Sequence, residues 1–127
     1  MPTPEQARAA AEAHLAAANA ADKDAIVANF ASDGVWHDPV GRPPHVGAGE
    51  IGEFFAQSQT LADRIEMKPI EIITSGNEAA MILEIHATMG DTTMIMDCVE
   101  TLEVNDDGKV TLMKAYWDMS RARTRGA

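Results

Sequence analysis

From Glu78 onward the chain alternates between apolar and polar residues with period two. The stretch before Leu61 instead carries its apolar residues at helical spacing. Over Glu78 to Met89 the alternation places Met81, Leu83, Ile85, Ala87 and Met89 on one strand face. Ile82, Glu84, His86 and Thr88 fall on the other. Val110 to Met119 predicts a second such strand, with Thr111, Met113, Ala115, Trp117 and Met119 opposed to Leu112, Lys114, Tyr116 and Asp118. Ile65 to Thr74 predicts a third, bent at Pro69. Ser75-Gly76-Asn77, Gly90-Asp91 and Asn105-Asp106-Asp107-Gly108 supply turn chemistry between them.

The first half predicts three helices. Thr3 caps the first, Pro4 takes its first position and Gln6 closes a capping box. Its stripe is Ala7, Ala11, His14, Leu15 and Ala18, running to about Ala20 or Ala21. Small residues keep that face thin, so another element can lie close, and His14 points inward. Asp22 caps a short second helix, Lys23 to Phe30. Ala31-Ser32-Asp33-Gly34 reads as a turn and Val35 to Val40 as a short strand. Gly41 to Gly49 reads as a loop, and Ala48 to Leu61 as the third helix. The tail with Arg121, Arg123 and Arg125 is expected to fray.

One position breaks the pattern. Met94 to Val104 predicts a strand whose one face carries Met94, Met96, Cys98, Glu100, Leu102 and Val104. Glu100 is the carboxylate in that apolar row. Burial disfavours its charged form, so it either finds a partner or solvent, or it stays protonated and becomes a hydrogen-bond donor. Asp38 stands in similar company, between Trp36 and Val40 on one strand face, although Asp-Pro is also ordinary turn chemistry.

The expected fold class is α+β: three N-terminal helices on one face of a curved, largely antiparallel sheet, forming one domain over residues 1–127. A curved sheet over helices leaves an apolar hollow. Its expected lining is Met81, Leu83, Ile85 and Met96 with Cys98, Met113, Ala115 and Trp117. Trp36 and Val40 join it beside Asp38. His14, Asp38 and Glu100 all aim at the same place.

Charge narrows the partners. The formal net charge is -10, with 10 Lys plus Arg against 20 Asp plus Glu. That argues against nucleic acid, which needs a basic footprint, and against an anionic membrane surface. No apolar run is long enough to span a bilayer and none follows a basic N-terminal region, so a cytoplasmic location is expected. One cysteine excludes an internal disulfide. His14, His37, His45 and His86 lie at no ligand spacing, so no metal is expected. Gly47-Ala48-Gly49-Glu50 lacks the Lys that a phosphate loop requires.

Thr3-Pro4-Glu5, Asn19-Ala20, Asp22, Asp24, Ile26-Val27-Ala28, Phe30-Ala31, Asp38-Pro39-Val40-Gly41, Glu53-Phe54, Asn77-Glu78-Ala79-Ala80 and Gly108-Lys109-Val110 together resemble the bacterial ketosteroid isomerases, members of the NTF2-like and SnoaL-like superfamily. The resemblance implies a cone-shaped fold and a cofactor-independent proton transfer beside a ketone. It places Asp38 on the general-base position and Glu100 on that of a carboxylic acid kept neutral at pH 7, a known feature of that family. Phe54 and Trp117 fall on pocket-wall positions. His14 stands where the family has a tyrosine, and Glu100 where it has an aspartate. A neutral imidazole N–H can still donate to an oxyanion. The resemblance also implies a homodimer, which the apolar outer face of Ile82, Ile95, Val99, Leu112 and Tyr116 would suit.

The leading expectation is therefore an isomerase for a hydrophobic, steroid-like ketone, with Asp38 as base and Glu100 and His14 as oxyanion donors. A second is a dehydratase or polyketide cyclase-like enzyme using His14 and Asp38 as an acid–base pair. A third is a non-catalytic steroid- or lipid-binding module.

Overall fold

The computed structural model describes residues 1–126. In chain order it has α1 (Pro4–Asn19), α2 (Lys23–Ala28), β1 (Phe30–His37), β2 (His45–Val46), α3 (Gly47–Ser58), β3 (Arg64–Ser75), β4 (Glu78–Met89), β5 (Thr92–Val104), β6 (Val110–Tyr116) and β7 (Arg123–Gly126). Short 3-10 turns, Gln59–Leu61 and Met119–Arg121, follow α3 and β6. No helix among the described residues is long and apolar enough to cross a membrane.

The sheet order is β2-β1-β6-β5-β4-β3, with β7 added to β5. All pairings are antiparallel except β1 with β6. The result is a curved, mixed sheet with the helices on its concave side, an α+β NTF2-like fold. Register shifts at Pro69 to Glu71 in β3 and at Glu103 to Val104 in β5 help the long strands bend.

The capping box forms as its chemistry dictates: the Thr3 hydroxyl accepts from the Gln6 N–H, and the Thr3 N–H donates to Gln6 Oε1. Ala7, Ala10, Ala11, Ala17 and Ala18 are buried, which lets α1 lie close over β3, β4 and β5. Asn19 secures the far end of α1, donating to the Met67 carbonyl and accepting from the Met67 N–H. The core between the helices and the sheet holds Ile26, Ile51, Met81, Leu83, Leu102 and Met113, each at most 1% exposed.

Several elements depart from the sequence expectation. Phe30 starts β1 instead of ending α2, and β1 runs through Ala31-Ser32-Asp33-Gly34. This segment is irregular: the chain advances five residues from Phe30 to Val35 while β6 advances two, from Val110 to Leu112. A Cβ on Gly34 would meet Ala31 O, Phe30 Cδ1 and Val110 O at 3.0 Å, so close backbone approach demands glycine. β1 ends at His37, so Asp38 sits in the turn after it. The Gly41–Gly49 loop contains the short β2.

The tail through Gly126 is ordered, not frayed. β7 pairs with β5, and Arg123 reaches Asp97 at 3.1 Å and Glu84 at 2.9 Å, while Arg121 reaches Asp97 at 3.2 Å. The buried His86 bonds Glu84 at 2.9 Å in the same network. β7 covers Ile95, which is 8% exposed, but Ile82, Val99 and Tyr116 remain 38–46% exposed on the convex face.

Candidate active site

A cavity of about 420 Å³ lies between the helices and the concave face of the sheet. Ile85 and Ala87 from β4, Met94, Met96 and Glu100 from β5, and Ile65 and Met67 from β3 form its floor. Trp36, Phe54 and Phe55 form a wall, and Trp117, just past β6, forms another. These walls are apolar; the buried ionisable groups of the lining are His14, Asp38 and Glu100.

Each polar group is positioned by its element. His14 and Glu100 are 1% and 2% exposed. His14 projects from α1, held edge-on against Trp36 at a ring distance of 5.3 Å and Phe30 at 6.4 Å. Its Nε2 lies 3.6 Å from Glu100 Oε1, a little beyond hydrogen-bond length. Asp38 is carried by the turn after β1. The Val40 N–H donates to the Ala115 carbonyl at 2.9 Å, fastening that turn to β6. The Trp117 Nε1–H then donates to Asp38 Oδ1 at 2.6 Å. Phe54 packs edge-on against Trp36 and is stacked on its other side by His45 at 3.9 Å.

Burial sets the protonation states. It pushes Glu100 up to about 8, with the nearby Asp38 charge adding to the effect, so Glu100 holds its proton at pH 7. Burial raises Asp38 to about 6, and the Trp117 hydrogen bond offsets part of that rise. Burial lowers His14 to about 4, leaving a neutral imidazole. The site therefore offers a protonated acid, a carboxylate base and a neutral imidazole beside the acid. His14 Nδ1, Trp36 Nε1 and Glu100 Oε1 have no hydrogen-bond partner among the described residues. Unpaired buried polar atoms cost stability and are uncommon in structures that serve packing alone.

The expected lining is divided by position along each strand. Trp36, Phe54, Ile85, Met96 and Trp117 border the cavity together with His14, Asp38 and Glu100. Met81, Leu83, Cys98, Met113 and Ala115 do not; all are at most 3% exposed and packed in the core. Burial pushes the Cys98 thiol well above its ordinary range, which makes it an inert core residue. Val40 is also misplaced by the sequence reading. It follows the end of β1, is 44% exposed and faces a groove on the convex side with Ile82, Val99 and Tyr116. His37, His45 and His86 stay outside the cavity. No group of three His, Cys, Asp or Glu among the described residues is placed to hold a metal.

Some cavity residues had no signal in the pattern. Arg42 comes from a proline-rich loop, and Met119 follows a strand that ends three residues earlier than expected. Leu61, Gln59 and Ser58 come from the end of α3 and the turn after it. Ile51, Phe54, Phe55, Ser58 and Leu61 share one stripe of the expected third helix, but that spacing gives no reason to place Ser58 and Leu61 at a cavity.

A SnoaL-like domain profile matches residues 11–113. The chain is 25% identical over 112 residues to a steroid delta-isomerase of Nocardioides simplex, covering 88% of this chain and 89% of that one. Among solved structures, RV0760c from Mycobacterium tuberculosis superposes with a TM-score of 0.85 at 26% identity, over 98% of this chain and 100% of that one. SalBIII, an epoxide hydrolase/cyclase-like enzyme in pyran ring formation of salinomycin, gives 0.84 at 22% identity, over 93% and 95%. An epoxide hydrolase of M. tuberculosis, described as LEH-like, gives 0.79 at 24% identity, over 93% and 86%. The last two likenesses show the fold alone.

Proposed function

The chain belongs to the SnoaL-like domain family, and from that premise we propose that it is a cofactor-independent acid–base enzyme for a hydrophobic, oxygen-bearing small molecule. Glu100, protonated, donates to the substrate oxygen. Asp38, ionised, takes a proton from a neighbouring carbon or hydroxyl. The observation that carries this reading is a pair of carboxyl groups in one apolar cavity whose proton affinities burial has pushed to about 6 and about 8. Such a separation assigns base and acid in one site. Near pH 7 both groups hold the protonation state their role needs.

Two reactions use that pair. In a cyclase-like ring closure, Asp38 removes the proton of an attacking hydroxyl while Glu100 protonates the oxygen that departs from carbon. The likeness in fold to SalBIII and to an epoxide hydrolase supports this reading. In an enolisation, Asp38 removes a proton beside a ketone, Glu100 stabilises the oxyanion, and the proton returns at another carbon. The identity with a steroid delta-isomerase across most of the chain supports this one. An acid–base pair of His14 with Asp38 has less support: His14 stands beside Glu100 and is neutral. We assign it the role of orienting the Glu100 carboxyl, with its own N–H as a second donor to the oxyanion.

The test offers the purified protein a hydroxy-epoxide and, separately, a β,γ-unsaturated 3-ketosteroid. Cyclic ether is followed by mass spectrometry and conjugated enone by absorbance. Turnover of the first identifies ring closure, and turnover of the second enolisation. In either case Asp38→Asn is expected to lower kcat by about 10³-fold with binding retained. Tight binding of both compounds without turnover of either would reject the enzyme and leave a binding module. The exposed Ile82, Val99 and Tyr116 strip further supports a homodimer through the convex face, which light scattering of the protein and of Val99→Glu would test.

A further inference from the structure

The cavity has two unlike ends. At the closed end stand Glu100 and His14, 2% and 1% exposed. At the open end stand Leu61 and Met119, 72% and 56% exposed. Arg42 is also exposed and is the one cationic side chain among the described cavity residues.

Arg42 is held at that mouth without being neutralised there. Its N–H donates to the Pro39 carbonyl at 3.3 Å, which closes the turn that carries Asp38. Its guanidinium carbon lies 5.9 Å from the centre of the Trp117 ring, within cation–π range. The same indole gives its N–H to Asp38 from the ring edge. Trp117 therefore contacts both the base, through its ring edge, and the cation, through its ring face. Arg42 makes no ion pair among the described residues. Arg64 pairs with Glu66, Arg121 with Asp97 and Arg123 with Asp97 and Glu84, whereas Arg8, Arg42 and Arg125 make no ion pair among the described residues. What sets Arg42 apart from the other unpaired cations is its place in the lining of the cavity. A planar guanidinium also has the fork geometry that suits carboxylate or sulfate oxygens.

Resting on the proposed function, we infer that the ligand of this cavity is amphipathic: an apolar body, an oxygen function at the Glu100 end, and an anionic oxygen group at the opposite end that pairs with Arg42. Arg42 is then a specificity residue. It selects acid-bearing ligands over neutral ones of the same skeleton and takes no part in the proton transfer.

Two fluorescent probes with the same anilinonaphthalene skeleton separate the two ideas: 1-anilinonaphthalene-8-sulfonate carries an anion and N-phenyl-1-naphthylamine does not. Both are titrated into the intact protein and into Arg42→Gln and Val99→Glu, the latter altering the convex groove. The expected result is binding of both probes to the wild type. Arg42→Gln weakens the sulfonate by about fivefold and leaves the neutral probe within about twofold, as a partly exposed ion pair implies. Val99→Glu changes neither. An equal effect of Arg42→Gln on both probes, or none on the sulfonate, overturns the anionic class and leaves the proposed function standing. Failure of the neutral probe to bind removes the apolar-ligand reading and this inference with it. Loss of sulfonate binding in Val99→Glu places that probe on the convex face and overturns the assignment to Arg42.

Discussion

Replacing Glu100 by glutamine keeps the shape of the side chain and removes its titration. Glu100 is 2% exposed, and burial with the Asp38 charge raises it from 4.5 to about 8. Between those values the folded chain holds a proton that the unfolded chain has released. Unfolding then releases a proton, so stability is greatest below about pH 4.5 and falls as pH rises toward 8. Each tenfold difference in proton affinity is worth about 1.4 kcal/mol, so the penalty on the wild type is about 3 kcal/mol at pH 7 and about 5 kcal/mol at pH 9. Glu100→Gln escapes it. The stability of the variant relative to wild type should rise by about 4 kcal/mol between pH 5 and pH 9. Asp38 contributes its own falling stability from 3.8 to about 6, but it is present in both proteins and largely cancels in the difference. Urea denaturation followed by tryptophan fluorescence at both pH values reads this as a midpoint change of about 2 M. A difference that stays within about 1 kcal/mol over that range would refute a neutral, buried Glu100.

Two further substitutions test the supporting geometry. Trp117→Phe removes the 2.6 Å bond to Asp38 Oδ1, a bond that favours the carboxylate. The ascending limb of kcat/KM, which reports the free base, should move to higher pH by about one pH unit, and an unmoved limb would show that Trp117 does not set the base. Met113→Ala opens a cavity at a fully buried core position on β6 that the proposed chemistry does not use. It should cost about 3 kcal/mol in urea denaturation while kcat stays near wild type, and a selective loss of kcat would place Met113 in the site.

The sequence was most informative where local chemistry and period agree. β4 runs from Glu78 to Met89, as its alternation and its flanking turns indicate. The α1 start follows from Thr3, Pro4 and Gln6. Glu100 stood out because one carboxylate in an apolar row needs no knowledge of the partner strands. What stayed hidden depends on contacts distant in sequence. Period two says which face a side chain occupies but not how far along a curved strand the helices cover it. Met81 and Leu83 therefore lie under α1, whereas Ile85, on the same face, reaches the cavity. Ala31-Ser32-Asp33-Gly34 has turn composition, yet parallel pairing with β6 draws it into β1. The Arg121 and Arg123 tail looks free until Asp97 and Glu84, 24 to 39 residues away in sequence, are placed beside it. Arg42 gave no pattern at all, because a single cation in a loop has no period.

The account rests on Glu100 remaining protonated near pH 7 inside the cavity. Carbon-13 labelling of the glutamate side-chain carboxyls, followed by NMR from pH 3 to pH 10, observes that proton directly. One carboxyl resonance should titrate near 8 and vanish in Glu100→Gln. If every glutamate has lost its proton by about pH 6, the acid proposed for this site does not exist and the mechanism falls with it.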